Sequence, residues 1–323
     1  MLQNLLFSLN NTVPLFAIMV LGYFLRQKRF FSDAFVADAN KFVFHIALPV
    51  LLFKDLAETD VRASFDARFV LFCFCATLTA ILVIWGLARR FLPDKTVVGE
   101  FVQASYRSSA AILAAAFVGL IYGEGGAAGS ISGLMILGAV PLYNIFAVLI
   151  LVLESPDAEM RRAPLGPRLA ASLGRIAQNP IILGILAGFV FGFFRIPIPV
   201  MADSVLASIS RLTTPLALLA IGAGFEGRAA LGRLRLTALA TAIKLVALPA
   251  VFLPLAGYLG FRGPQMVALL VMLGSITTPA SYVMAKQMVH EGTLTASVCV
   301  ATTVFSALTL TFWLFLAGTL GWV

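Results

Sequence analysis

Long apolar runs separated by short polar stretches make up most of the chain. They lie near 5–26, 37–54, 68–89, 98–122, 128–152, 179–194, 203–224, 235–258, 265–287 and 293–320. About 20 apolar residues in helical form span the hydrocarbon of a bilayer. Lipid offers no partners to backbone N–H and C=O groups, so such runs fold as helices that satisfy their own backbone. The pattern predicts an all-α membrane protein of ten transmembrane helices, with tilt where a run exceeds the bilayer thickness. The first run, "MLQNLLFSLNNTVPLFAIMVLGYFL", has no basic stretch ahead of it and no small-residue cleavage site, so it reads as a retained span.

The two halves of the chain echo one another. Asn11 before Pro14 parallels Asn179 before Pro180, and "VAD" at 36–38 parallels "MAD" at 201–203. Pro49 parallels Pro215, and "GEGGAAGS" at 123–130 parallels "HEGTLTAS" at 290–297, at an offset that stays between 165 and 168 residues. An odd number of spans per half turns the second copy upside down in the membrane. The expected organisation is a first five-helix repeat at 1–153, a basic connection at 154–178 and an inverted second repeat at 179–323. Inverted repeats are typical of secondary transporters, whose sites lie near the midplane where discontinuous helices meet.

Composition agrees: 60% of residues are hydrophobic and 12% charged, with mean hydropathy +0.98, against about 25% charged in soluble domains. The net charge of +8 does not point to nucleic acid, because the basic residues are scattered through connections and form no face. Fifteen Lys and Arg fall in alternate connections and five in the others, so the positive-inside rule places both termini on the non-cytoplasmic side. The expected location is the cell (inner) membrane. Cys73, Cys75 and Cys299 lie in apolar stretches without metal-ligand spacing and read as buried small side chains. No enzyme motif, P-loop or metal set is present, so no enzymatic activity, metal or cofactor is expected. An acidic ring or carbonyl filter for a cation channel is also missing.

Candidate chemistry sits where polarity interrupts apolar runs. "SITTPASYVMAKQM" at 275–288 carries Thr277, Thr278, Pro279 and Ser281 inside an apolar region. Pro279 removes a backbone donor and clashes with the preceding turn, and unwound backbone is tolerated only inside protein or beside a cavity. A half-helix starting there would offer N–H groups to an anion; a simple proline kink is the alternative. In "EFVQASYRSSAAILAAAFVGLIYG", Arg107 is embedded beside Ser108 and Ser109. It reads either as an anion-attracting group or as a structural cation that snorkels or forms a pair, with Glu100 as the candidate partner. Lys244 is a second embedded cation, with site and structural roles both open, and Arg211 reads as structural. Asn144 either bonds between helices or lines a cavity. His45 reads as a hydrogen-bonded structural residue. Acidic residues are nearly absent from span centres, which favours an anionic substrate over a carboxylate cage for a cation.

Taken together, "VPLFAIMVLGYFLR" at 13–26, "KFVFHIALPVLLF" at 41–53, "FVQASYR" at 101–107, "LIYGEGG" at 120–126, "VPLYNIFAV" at 140–148, "NPIILGILAG" at 179–188, "TPLALLAIGAG" at 214–224, "KLVALP" at 244–249 and "YVMAKQM" at 282–288 resemble the auxin efflux carrier family, including its bacterial malate or malonate permeases. The resemblance implies two inverted five-helix repeats with crossing, interrupted spans 4 and 9, a scaffold set, a transport set, and elevator-like movement of a small organic anion. Where relatives carry an Asn-Thr pair and a Gly-x-Pro break in span 4, this chain has Ser109, Ala110 and Ala114 to Ala116. Alanine favours continuous helix, so a mild or absent break is expected there. The expected cargo is a mono- or dicarboxylate such as malate or malonate. The alternatives are Na⁺- or H⁺-coupled symport on the same scaffold and a membrane ligand sensor. The partners expected are that anion and the bilayer, with a homodimer as the candidate assembly and no nucleic acid.

Overall fold

The computed structural model describes residues 2–58, 66–122, 127–157, 178–225 and 227–323, and among these every regular element is helical. Helix α1 spans Leu2–Gln27, α2 Asp33–Ala57, α3 Ala67–Phe91, α4 Val98–Tyr106, α5 Ala110–Tyr122 and α6 Ala127–Leu153. The second half holds α7 (Pro180–Phe194), α8 (Val200–Ala223), the short α9 (Gly227–Gly232), α10 (Leu234–Tyr258), α11 (Pro264–Gly274), α12 (Ala280–Gln287) and α13 (Thr293–Thr319). Five-residue π-helical turns interrupt α2 at Val43–Ala47 and α10 at Ile243–Ala247. Six helices among the described residues are long and apolar enough to cross a bilayer: α2, α3, α6, α8, α10 and α13. The basic connection at 158–177, with its four arginines, lies outside the described residues, as do Arg62 and residues 123–126 of the proposed repeat match.

Side chains fix the helix starts. Ser32 Oγ accepts from Phe35 N at 3.1 Å to open α2. Asp66 Oδ1 accepts from Arg68 N and Phe69 N at 3.0 and 3.1 Å to open α3. Asn179 Oδ1 accepts from Ile181 N at 2.9 Å to open α7, with Pro180 at the first helical position, where its missing N–H costs nothing. Arg89 and Arg90 occupy the last turn of α3, where cations suit the carbonyl end.

The helices pack in two groups. In one, α2 lies against α7 and α8, and α1 against α8. Glycines let these backbones touch: a Cβ at Gly184, Gly188 or Gly192 of α7 would stand 2.5, 2.5 and 2.4 Å from the carbonyl oxygens of Pro49, Phe53 and Leu56 on α2. A Cβ at Gly222 of α8 would meet the Met19 carbonyl oxygen of α1 at 1.9 Å. Without a hydrophobic drive between helices in lipid, such close small-residue contact supplies the packing. In the second group α3, α4, α5, α6, α10, α11, α12 and α13 enclose one another. At its centre, Met266 to Gly274 of α11 are all buried, as an all-round apolar helix in a protein interior should be. The groups meet where α1 packs on α13 and where α12 packs on α2 and α8. Cys73 and Cys299 are buried in the second group as expected, but Cys75 is exposed on the apolar face of α3.

Candidate functional site

Two helices of the second group break side by side. α4 ends at Tyr106, Arg107 turns to extended backbone (φ −68°, ψ 138°), and helix resumes at Ala110. α11 ends at Gly274, Ser275 is extended (φ −87°, ψ 178°), and helix resumes at Ala280 directly after Pro279. The alanine-rich stretch at 114–116 is helical as its composition dictates, so the interruption falls earlier, on the Arg107–Ser109 segment, and is a full break. Ser109 N donates to Ile276 O at 3.0 Å, joining the two unwound segments.

A broken helix leaves carbonyls without partners in a medium that offers none. Here side chains supply them. Thr277 Oγ1 donates to Ala104 O at 2.8 Å, and Lys244 Nζ to Tyr106 O at 3.0 Å, at the end of α4. At the end of α11, Met272 O accepts from Ser108 Oγ at 2.8 Å, Tyr143 OH at 2.9 Å and Lys244 Nζ at 3.3 Å. Thr302 Oγ1 accepts from Thr277 N at 3.0 Å, and Ser281 O accepts from Gln103 Nε2 at 3.0 Å. Thr277 and Ser108 are thus the hydroxyls that equip the two breaks, whereas Ser275 Oγ and Ser281 Oγ are buried without a partner.

Arg107 is 3% exposed. One terminal nitrogen, Nη2, donates to Asn144 Oδ1 at 2.7 Å, and Nη1 lies 2.8 Å from Met284 Sδ. Its buried Nε has no partner. Asn144 is held in turn by its Nδ2, which donates to Val140 O one turn earlier in α6 at 2.9 Å. The pairing with Glu100 expected as one reading does not form. Glu100 is buried and accepts from Gly292 N at 2.9 Å and from Thr295 N and Oγ1, both at 3.1 Å, so it closes the N-terminus of α13.

Between the two helix groups lies a cavity of about 70 Å³. The second group contributes Arg107, Ser108, Ser109, Val140, Tyr143, Asn144, Thr278, Pro279 and Ala280. The first contributes Leu48, Leu51, Leu52 and Asp55 of α2 and Thr213, Thr214 and Ala217 of α8. Of the residues singled out by sequence, Arg107, Ser108, Ser109, Asn144, Thr278 and Pro279 thus come together on one wall. Thr277, Ser281 and Lys244 are buried behind that wall: Thr277 and Lys244 tie helix ends, and Ser281 Oγ has no partner. Sequence reasoning missed Asp55 and Tyr143. Asp55 sits near the end of an apolar run beside Lys54, Glu58 and a further acid, and there it reads as loop polarity. Thr213 and Thr214, in "LTTPLA" at 212–217, line the cavity from the first group.

A guanidinium, hydroxyls and the start of α12 meet on this wall. Part of this chain is similar to a protein of Rhizobium meliloti (strain 1021) named "Putative malonate transporter", with 28% identity over 220 residues. The match covers 65% of this chain and spans 64% of that relative. Residues 7–314 match the family described as "Membrane transport protein", and over nearly its whole length the chain therefore belongs to that family, the auxin efflux carriers, as a multi-pass integral membrane protein.

Proposed function

We propose that the protein carries a small organic anion, a mono- or dicarboxylate such as malonate or malate, by alternating access. The observation that carries this reading is the buried Arg107 with its unpartnered Nε on the wall of a cavity between two helix groups. An embedded guanidinium is costly unless a partner or wet cavity receives it, and a carboxylate is the partner its fork fits best. Asn144 orients the guanidinium, Ser109 and Thr278 offer hydroxyls, and the N-terminal turn after Pro279 adds dipole and backbone donors. Ser108, Thr277 and Lys244 hold the breaks that form this wall.

In this reading the chain is two inverted repeats, 1–153 and 179–323, of five spans each. The breaks support it: α4 and α11 begin 166 residues apart and end 168 residues apart, within the range of offsets of the sequence echoes. The group built on α1, α2, α7 and α8 serves as scaffold. The second group moves past it as an elevator, carrying the breaks and the anion between faces. The termini lie on the non-cytoplasmic side of the cell membrane.

Uptake of labelled malonate, malate and monocarboxylates into proteoliposomes tests the proposal. Wild type should accumulate at least one of them saturably. Arg107→Ala should weaken apparent affinity on the order of 10- to 100-fold, the worth of a charged hydrogen bond. Undiminished uptake by that variant would remove Arg107 from the site, and no flux of any small acid would sink the reading.

A further inference from the structure

On the flank of the second group, α3 and α10 stand apart over a groove of about 510 Å³. Val83, Leu87 and Phe91 of α3 line it opposite Leu239, Ile243 and Val251 of α10, and all but the half-buried Ile243 are exposed. Both helices are long and apolar enough to cross a bilayer, so the groove opens into hydrocarbon. It runs from Leu92, just past the end of α3, to Thr79, the middle residue of that helix. That is about 20 Å of helix, enough to cover one half of a hydrocarbon core about 30 Å thick.

The groove is charged at one end only. α3 and α10 run antiparallel, since the Arg68 guanidinium at the start of α3 donates to Leu259 O just past the end of α10. The end of α3 and the start of α10 therefore share one end of the groove. Arg90 sits there, its guanidinium 5.6 Å from the centre of the Phe91 ring. Arg235 stands one turn before Leu239 on the same face of α10. Both arginines are exposed, and neither has an acidic partner among the described residues. The charges around them are already engaged. Arg89 pairs with Glu154 at 3.2 Å and Arg233 with Glu291 at 2.7 Å. The Lys95 ammonium donates to Arg89 O at 2.5 Å and Leu92 O at 2.7 Å, and Asp94 accepts from Thr96 N and Oγ1.

We propose that this groove binds one anionic glycerophospholipid of the surrounding bilayer. An acyl chain lies between α3 and α10, and the headgroup phosphate is held by Arg90 and Arg235. Hydrocarbon gains little by leaving bulk lipid for an apolar groove, so the two arginines set the preference. A cation at the membrane surface favours an anionic lipid about fivefold. The tail also meets a special piece of backbone. Ile243 and Ala247, first and last residues of the π turn in α10, line the groove, while Lys244 between them reaches inward to Tyr106 O and Met272 O. The lipid thus packs against the turn that carries a support of the helix breaks. The inference does not depend on what the protein carries.

The test is native mass spectrometry of the purified full-length protein. The micelles hold phosphatidylglycerol and phosphatidylcholine in equal amounts, with the same acyl chains. Wild type should retain one phosphatidylglycerol per chain, preferred over phosphatidylcholine on the order of 10- to 30-fold. Arg90→Gln and Arg235→Gln should each lower that preference about fivefold, and together bring it near parity. Lys28→Gln, which removes an exposed cation from the connection after α1, should leave it unchanged. Val83→Trp, at an exposed position, fills the groove with both arginines in place and should abolish retention. Thermal unfolding checks that each variant is folded. Equal retention of the two lipids by wild type overturns the inference, as does a preference that survives in the double variant or full retention in Val83→Trp. A loss in Lys28→Gln equal to that in Arg90→Gln would reduce the effect to net charge and overturn it too. A dimer that Val83→Trp converts to monomer would seat a second copy in the groove in place of lipid.

Discussion

Replacing Asn144 by aspartate separates binding of the anion from stability. The new carboxylate would meet the guanidinium at the position of Asn144 Oδ1, now 2.7 Å from Arg107, and would occupy it with a charge-assisted pair. The expected outcome is a melting temperature in detergent at or above wild type, together with uptake reduced by tenfold or more in proteoliposomes. Asn144→Leu should lower both, because it leaves a buried donor unpaired at about 1–3 kcal/mol. At this scale the sequence was informative about which residues are unusual and less so about what each does. An arginine well inside an apolar run is conspicuous in any reading. Lys244 is equally conspicuous, yet its ammonium serves the carbonyls of Tyr106 and Met272 behind the cavity wall. Glu100 shows why pairs are hard to read: its partners, Gly292 and Thr295, stand far along the chain and bond through backbone N–H groups that every residue type carries.

Glycines set the helix contacts of the first group, and hydroxyls bridge the breaks of the second. Gly222→Ala would drive a methyl against the Met19 carbonyl oxygen at 1.9 Å, so α1 and α8 must separate. A loss of about 1–3 kcal/mol is expected, read as a lower melting temperature. Gly188→Leu should do more, because the α2 backbone stands 2.5 Å away. Glu100→Ala strips the start of α13 of its acceptor and should cost a similar amount; Glu100→Gln, which keeps an acceptor but loses the charge, should cost less. Helix placement was largely legible, since apolar length alone marks a span. The Gly184, Gly188 and Gly192 spacing is also visible in "GILAGFVFG", but nothing in the chain says which helix it meets. The break at Arg107–Ser109 escaped because no proline or glycine marks it. It is specified by polar side chains from elsewhere in the chain, Thr277 and Lys244, that donate to the freed carbonyls of Ala104 and Tyr106.

For the whole molecule, the proposed sliding of one helix group past the other makes a contrast between two crosslinks. In a variant lacking Cys73, Cys75 and Cys299, cysteines at Leu51 and Ser109 face one cavity from opposite groups. Bridging them with a short thiol-reactive linker should arrest uptake, and cleaving the bridge should restore it. Cysteines at Lys54 and Asp203, an ion pair within one group, should bridge with little effect on flux. Equal inhibition by both bridges would argue against relative motion of the groups. The cavity's modest size has one more consequence. A cavity of about 70 Å³ holds only a few water molecules, so an acid that enters must shed much of its hydration shell. Selectivity among acids of similar shape should then follow their dehydration cost rather than their length. Competition assays would show this as a rank order in which weakly hydrated monoanions displace strongly hydrated dianions.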